Sequence, residues 1–120
     1  MGNYTELQVW KEAKELAIYI YNLSMKGDLS KDFGLRDQIR RSAVSVASNI
    51  AEGEECGRSQ KAINYFYISK GSLAELNTQL DIARGVGYLD TLKYSELKDW
   101  TEMISRKLRK LIQFREKVLE

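Results

Sequence analysis

Hydrophobic residues recur every three or four positions along four stretches of this chain. Such spacing puts them on one face of an α-helix, so the pattern predicts helices over residues 6–25, 34–52, 59–84 and 91–118. The predicted core rows, helix by helix, are Trp10, Ala13, Ala17, Tyr21 and Ser24; Leu35, Ile39, Ala43, Val46 and Ile50; Ala62, Phe66, Ser69, Leu73, Leu76, Leu80 and Ala83; and Leu97, Trp100, Ile104, Leu108, Leu111 and Val118. No stretch alternates between apolar and polar residues for long enough to predict a strand.

Short breaks that contain glycine separate the four predicted helices. Because short connections make sequential helices antiparallel, the expected fold is all-α, an up-down-up-down four-helix bundle that spans residues 1–120 as one domain. At the helix ends, Thr5 and Gln8 match a capping box, and Ser59 is a predicted N-cap. Gly53 is predicted to take a left-handed conformation just after the second helix.

The second and third helices carry more apolar residues than one core face uses. Scattered exposed apolar residues are normal in monomers, which is one interpretation. The other is a second buried face, which in a chain this small implies a homo-oligomer. The candidate interface residues are Arg41, Val44, Ala47, Ala51, Ile68, Gly71, Glu75 and Ile82.

Small polar residues flank the core row of the second helix. Hydroxyl side chains are neutral to unfavourable inside helices, so their grouping predicts a hydrogen-bonded seam. The candidate seam residues are Gln38, Ser45, Asn49, Glu52, Gly53 and Ser72. The seam either fixes helix register or forms a polar pocket to which Asn49, Glu52, Ser72 and Glu75 contribute.

The composition argues against an enzyme. The 120 residues include no histidine, no proline and one cysteine, Cys56. Histidine-dependent acid–base chemistry is therefore excluded within one chain, as are an internal disulfide and a cysteine zinc site. We expect no metal, no cofactor, no membrane span, and a soluble cytoplasmic protein.

Positive charge is concentrated near the end of the chain, although the formal net charge is only +2. Such a cluster suits phosphate binding, but it also complements the dipole at a helix C-terminus. The candidate nucleic-acid-binding residues are Arg106, Arg109, Lys110 and Lys117, with Arg36 and Arg40 in a smaller cluster. Arg40 and Arg41 are alternatively expected to bridge subunits or to pair with Glu52 or Glu75. No run interleaves aromatic and basic residues as a stacking platform does.

The run from Gln38 to Gly53, QIRRSAVSVASNIAEG, resembles the signature of the four-helix-bundle family of 23S rRNA intervening-sequence proteins. The segments Gly71–Leu76, Gly87–Leu89 and Leu7–Lys11 are similar to other blocks of that family. The chain departs from the pattern at Ala47, where many members have proline. The second helix is therefore expected to be straighter here.

The resemblance implies a ring-shaped homopentamer with a link to RNA, since members are encoded inside sequences inserted in bacterial 23S rRNA genes. A related branch, the accessory variability protein of diversity-generating retroelements, binds reverse transcriptase and nucleic acid. Two functions are therefore open. One is a non-enzymatic, homopentameric adaptor that binds RNA. The other is a scaffold that recruits a protein, such as a reverse transcriptase, without touching nucleic acid.

Overall fold

Four long helices make up this computed structural model, which describes residues 3–120. The helices are α1 (Gln8–Leu23), α2 (Phe33–Glu55), α3 (Gln60–Gly85) and α4 (Thr91–Leu119), and short 3-10 turns cover Tyr4–Glu6 and Asp28–Lys31. Each helix packs against its sequence neighbours, and α1 also packs against α4. The prediction of an all-α four-helix bundle is confirmed. Met1 and Gly2, the first residues of the predicted domain, lie outside the described residues.

The predicted core rows account for most of the buried side chains. Every residue predicted for the core row of α3 is buried, from Ala62 to Ala83. The rows are wrong at their edges, because Tyr21 and Val118 are exposed. In α4, Ile112 is buried and Leu111 is only half-buried. The core therefore follows the hydrophobic period closely except near helix ends.

The helix ends differ from the predicted ones. The proposed capping box is wrong, since α1 begins at Gln8 after Leu7, which makes no side-chain cap, and Thr5 lies in the preceding 3-10 turn. Ser59 is the N-cap of α3, as predicted, and its hydroxyl accepts a hydrogen bond from the Ala62 amide at 3.1 Å. A further cap comes from Asp32 at the start of α2.

Gly53 does not terminate α2. The helix continues without interruption to Glu55, and Gly57 takes the left-handed conformation, with φ of +67°. Gly53 is buried instead, and a Cβ atom there would lie 2.5 Å from Cε1 of Phe66 and 3.0 Å from the carbonyl oxygen of Ala62. The glycine is therefore needed for the close approach of α2 and α3.

An ion pair beside this contact joins α2 to α4. The Arg115 guanidinium donates to a carboxylate oxygen of Glu54 at 2.6 Å, and it also lies over the Phe66 ring at 5.5 Å. Glu54 is buried. Since Glu54 is near the end of α2 and Arg115 near the end of α4, the carboxyl ends of these two helices lie at the same end of the bundle.

Candidate nucleic-acid interface and oligomer surfaces

The outer face of α4 changes sign along its length. Its first half exposes Glu96, Asp99 and Glu102. Its second half exposes the four predicted nucleic-acid-binding residues, Arg106, Arg109, Lys110 and Lys117. Among residues 3–120 these four cations make no ion pair. We call these four residues the basic face.

The other two cations in the second half of α4 form ion pairs with neighbouring helices. Lys107 pairs with Glu12 of α1, and Arg115 pairs with Glu54 of α2. Both therefore lie against neighbouring helices and not on the outer face. The six cations of residues 103–117 are thus divided by helical position into four that face solvent and two that pair with neighbouring helices.

Glu116 is the acidic residue nearest to the basic face in sequence, and it is held by α3. The Tyr67 hydroxyl donates to its carboxylate at 3.2 Å. The negative charge of Glu116 raises the pKa of Tyr67, and burial and this hydrogen bond act in the same direction. The tyrosine therefore stays protonated at neutral pH, as a hydrogen-bond donor.

Arg36 and Arg40 do not join the basic face. Arg36 lies in the first turn of α2, so it is at the end of the bundle opposite the last turn of α4. It bonds to Asp37 at 2.9 Å and to the carbonyl of Ser30 at 3.1 Å. Arg40 donates to the Ser24 hydroxyl at 2.7 Å and lies over the Tyr21 ring. Within residues 3–120, Arg40 is thus bonded to Ser24, just after α1, and not to Glu52 or Glu75.

Three of the seam residues come together between α2 and α3. The hydroxyl oxygens of Ser45 and Ser72 lie 2.8 Å apart. The Asn49 side chain donates to the carbonyl and hydroxyl oxygens of Ser45 at 2.9 and 3.0 Å. Gln38 and Glu52 are exposed. A further bond that the sequence did not predict runs from the Ser69 hydroxyl to the carbonyl of Val46 at 2.7 Å.

An apolar groove of about 440 Å³ lies between α1 and α2. Its α2 wall includes the predicted interface residues Val44, Ala47 and Ala51, and its α1 wall includes Trp10, Ile18 and Tyr21. Ala47 and Ala51 are half-buried against this groove. The contribution of α1 was missed, because sequence alone does not show which helix lies beside Val44.

A second row of candidate interface residues runs along the outside of α3. Ile68, Gly71, Glu75 and Ile82 are all exposed. Glu75 also lines a polar groove of about 370 Å³ with Arg41 and Gln38 of α2. Nothing lies within 4 Å of the Cβ position of Gly71. Within residues 3–120 no other helix therefore approaches Gly71 closely.

Replacing Gly71 by alanine is expected to affect folding and assembly in opposite directions. In dilute solution, Gly71→Ala should raise the free energy of unfolding by roughly 0.5–1 kcal/mol, because alanine favours the helix. At micromolar concentration the same methyl group should weaken assembly if copies meet at this row. Urea denaturation and a dilution series of the native mass measure the two effects. A variant that assembles as tightly as the parent would remove Gly71 from the interface.

Within residues 3–120 no group of three or more histidine, cysteine, aspartate or glutamate side chains is placed to hold a metal ion. Cys56 is a free, half-buried thiol packed against the cluster around Phe66. None of the helices described is long and apolar enough to cross a bilayer.

Comparisons with known proteins bear on the fold and on the family of this chain. The chain is similar in fold to a solved protein of unknown function from the S23 ribosomal protein family of Bacteroides thetaiotaomicron. The two share 24% identity with a TM-score of 0.81, over 88% of this chain and 95% of the other. A search of curated proteins gave no match. The model of the 23S rRNA-intervening sequence protein family matches residues 5–110. With this match across most of its length, the chain belongs to the 23S rRNA-intervening sequence protein family.

Proposed function

We propose that this protein is a non-enzymatic, homo-oligomeric adaptor that binds RNA in the cytoplasm through the basic face of α4. The observation that carries the proposal is the state of those four cations. Arg106, Arg109, Lys110 and Lys117 are exposed and free of ion pairs within residues 3–120. Phosphate contacts from such cations give an affinity for RNA that does not depend on its base sequence.

The helix dipole alone does not account for this arrangement. Dipole compensation acts within the last turn of a helix, and of the four cations only Lys117 lies there. Arg106, Arg109 and Lys110 lie at least two turns before the end of α4, at Leu119. Their charges repel one another unless an anion is bound, which favours a phosphate ligand.

Two different surfaces support self-association. The α1–α2 groove is mainly apolar, and the row on α3 exposes Ile68 and Ile82 at about half of their surface. Contact between the groove of one copy and the row of the next would be head-to-tail, and head-to-tail contacts form rings when the rotation closes. The family resemblance implies five copies. A ring would repeat the basic face once in every subunit.

RNA binding is tested by removing two charges from the basic face. We expect Arg106→Ala/Lys110→Ala to weaken binding of a labelled RNA hairpin about tenfold at about 50 mM salt, because phosphate contacts are lost. The matched control, Lys26→Ala/Lys31→Ala, removes the same charge from exposed positions at the other end of the bundle. Fluorescence anisotropy measures both affinities.

Two results would count against the proposal. Equal losses in both variants would mean that net charge, and not the basic face, determines affinity. Absence of binding to any RNA in low salt would reject the RNA adaptor and favour the alternative scaffold, in which the ring recruits a protein such as a reverse transcriptase.

A further inference from the structure

We propose that Phe114 stacks an unpaired nucleobase, so that the basic face binds single-stranded RNA in preference to a duplex. The inference rests on the proposed RNA binding and specifies the kind of RNA bound. The sequence shows no run that interleaves aromatic and basic residues, and Phe114 lies four residues after Lys110 and three before Lys117. Helical geometry brings these residues onto neighbouring positions.

Phe114 is, with Phe33, one of the two most exposed aromatic side chains among residues 3–120. It is 62% exposed in α4, within two turns of the helix end. Aromatic side chains are normally well buried, and an exposed one on a charged surface is a frequent binding contact. An aromatic face in water beside cations is the arrangement that single-strand binding proteins use.

The other exposed aromatic residues already have partners. Phe33 is 64% exposed, but the Arg36 guanidinium lies 4.7 Å from its ring centroid. Tyr21 lies under Arg40 in the same way, and the Tyr67 hydroxyl bonds to Glu116. Over the part of the chain that the structure describes, Phe114 makes neither an aromatic pair nor a cation–π contact. Its ring is free for a base.

Two lysines of the basic face flank this ring. Lys110 precedes Phe114 by four residues and Lys117 follows it by three, and these are the spacings at which helical side chains are neighbours. The two lysines are about 10 Å apart along the helix axis. A single strand of RNA that runs along α4 can therefore place phosphates near both ammonium groups, with a base stacked on Phe114 between them.

The nearest carboxylate on α4 does not oppose this path. Glu116 is two residues from Phe114, and residues at that spacing point to different sides of a helix. Its carboxylate is also engaged by the Tyr67 hydroxyl of α3. The negative charge therefore lies on the α3 side of α4, away from Phe114.

Stacking on Phe114 makes the protein distinguish single-stranded RNA from duplex RNA. Bases inside a duplex are already stacked, so Phe114 gains nothing from them, whereas the lysines contact phosphates of either form. We expect the protein to bind a single-stranded oligouridine more tightly than an RNA duplex of equal length. Phe114→Ala should weaken single-strand binding by between about fivefold and a hundredfold, and Phe114→Trp should retain it. Duplex affinity should be unchanged in both variants.

Leu92→Ala is the matched control, because Leu92 is 70% exposed in the first turn of the same helix, far from the basic face. It should alter neither affinity. If both RNAs bind equally well and Phe114→Ala changes neither, the stacking role is overturned while the proposed RNA binding stands. If neither RNA binds, the proposed function and this inference both fail.

Discussion

Replacing Val44 by glutamate is expected to convert the proposed oligomer into monomers of 13.9 kDa. Val44 is 41% exposed and lines the α1–α2 groove, so in a single chain the carboxylate can reach water. A surface change of this kind alters the free energy of unfolding by about 0.5 kcal/mol or less. At a subunit interface the same carboxylate would be taken out of water, and the neighbouring Arg40 and Arg41 would offset only part of a desolvation cost of several kcal/mol. Light scattering measures the mass, and circular dichroism verifies the helical content.

Leu92→Glu is the control for this experiment. It puts the same charge on an exposed leucine that lies in neither the groove nor the α3 row. We expect it to keep the mass of the parent protein. A Val44→Glu protein that also keeps that mass would place the interface elsewhere, and a parent protein of 13.9 kDa at micromolar concentration would contradict self-association.

Gly53→Ala is expected to lower the free energy of unfolding by about 2 kcal/mol, even though alanine is the better helix former by about 1 kcal/mol. The added Cβ would overlap a ring carbon of the fully buried Phe66 and press on the backbone of Ala62. Phe66 has little room to move, because it packs with Ile63 and Ile112 in one buried cluster. Thermal unfolding should show a fall in Tm of roughly 10 °C.

Gly71→Ala is the matched control, since it makes the same change at a helical position where nothing lies within 4 Å of the added Cβ atom. The two substitutions should shift the stability of the dilute protein in opposite directions. If Gly53→Ala were as stable as the parent, the close contact between α2 and α3 would not be the reason for glycine at this position.

The hydrophobic period predicted the fold well because burial in a bundle follows helical geometry. The core row of α3, from Ala62 to Ala83, is buried throughout. Helix ends depend on a few local hydrogen bonds, so the same period does not locate them. Asp32 caps α2 through one bond to the Leu35 amide, and the helix passes Gly53 and ends at Glu55.

The surfaces were harder to predict than the core, because they depend on which helices are neighbours. The exposure of Arg106 and Arg109 could be read from the period of α4 alone. That Val44 faces α1, and that Arg40 bonds to Ser24, depends on how the helices pair in space. Gly53 belongs to the run that carries the family resemblance, yet its contact with Phe66 is visible only in three dimensions.

RNA binding by the basic face is tested most directly by the salt dependence of the affinity. Four phosphate contacts to a single strand should give a plot of log affinity against log salt concentration with a slope of about −3. Neutralising Arg106 and Lys110 should reduce this slope by about half. A slope near zero, or no measurable binding at about 50 mM salt, would contradict RNA binding by the basic face.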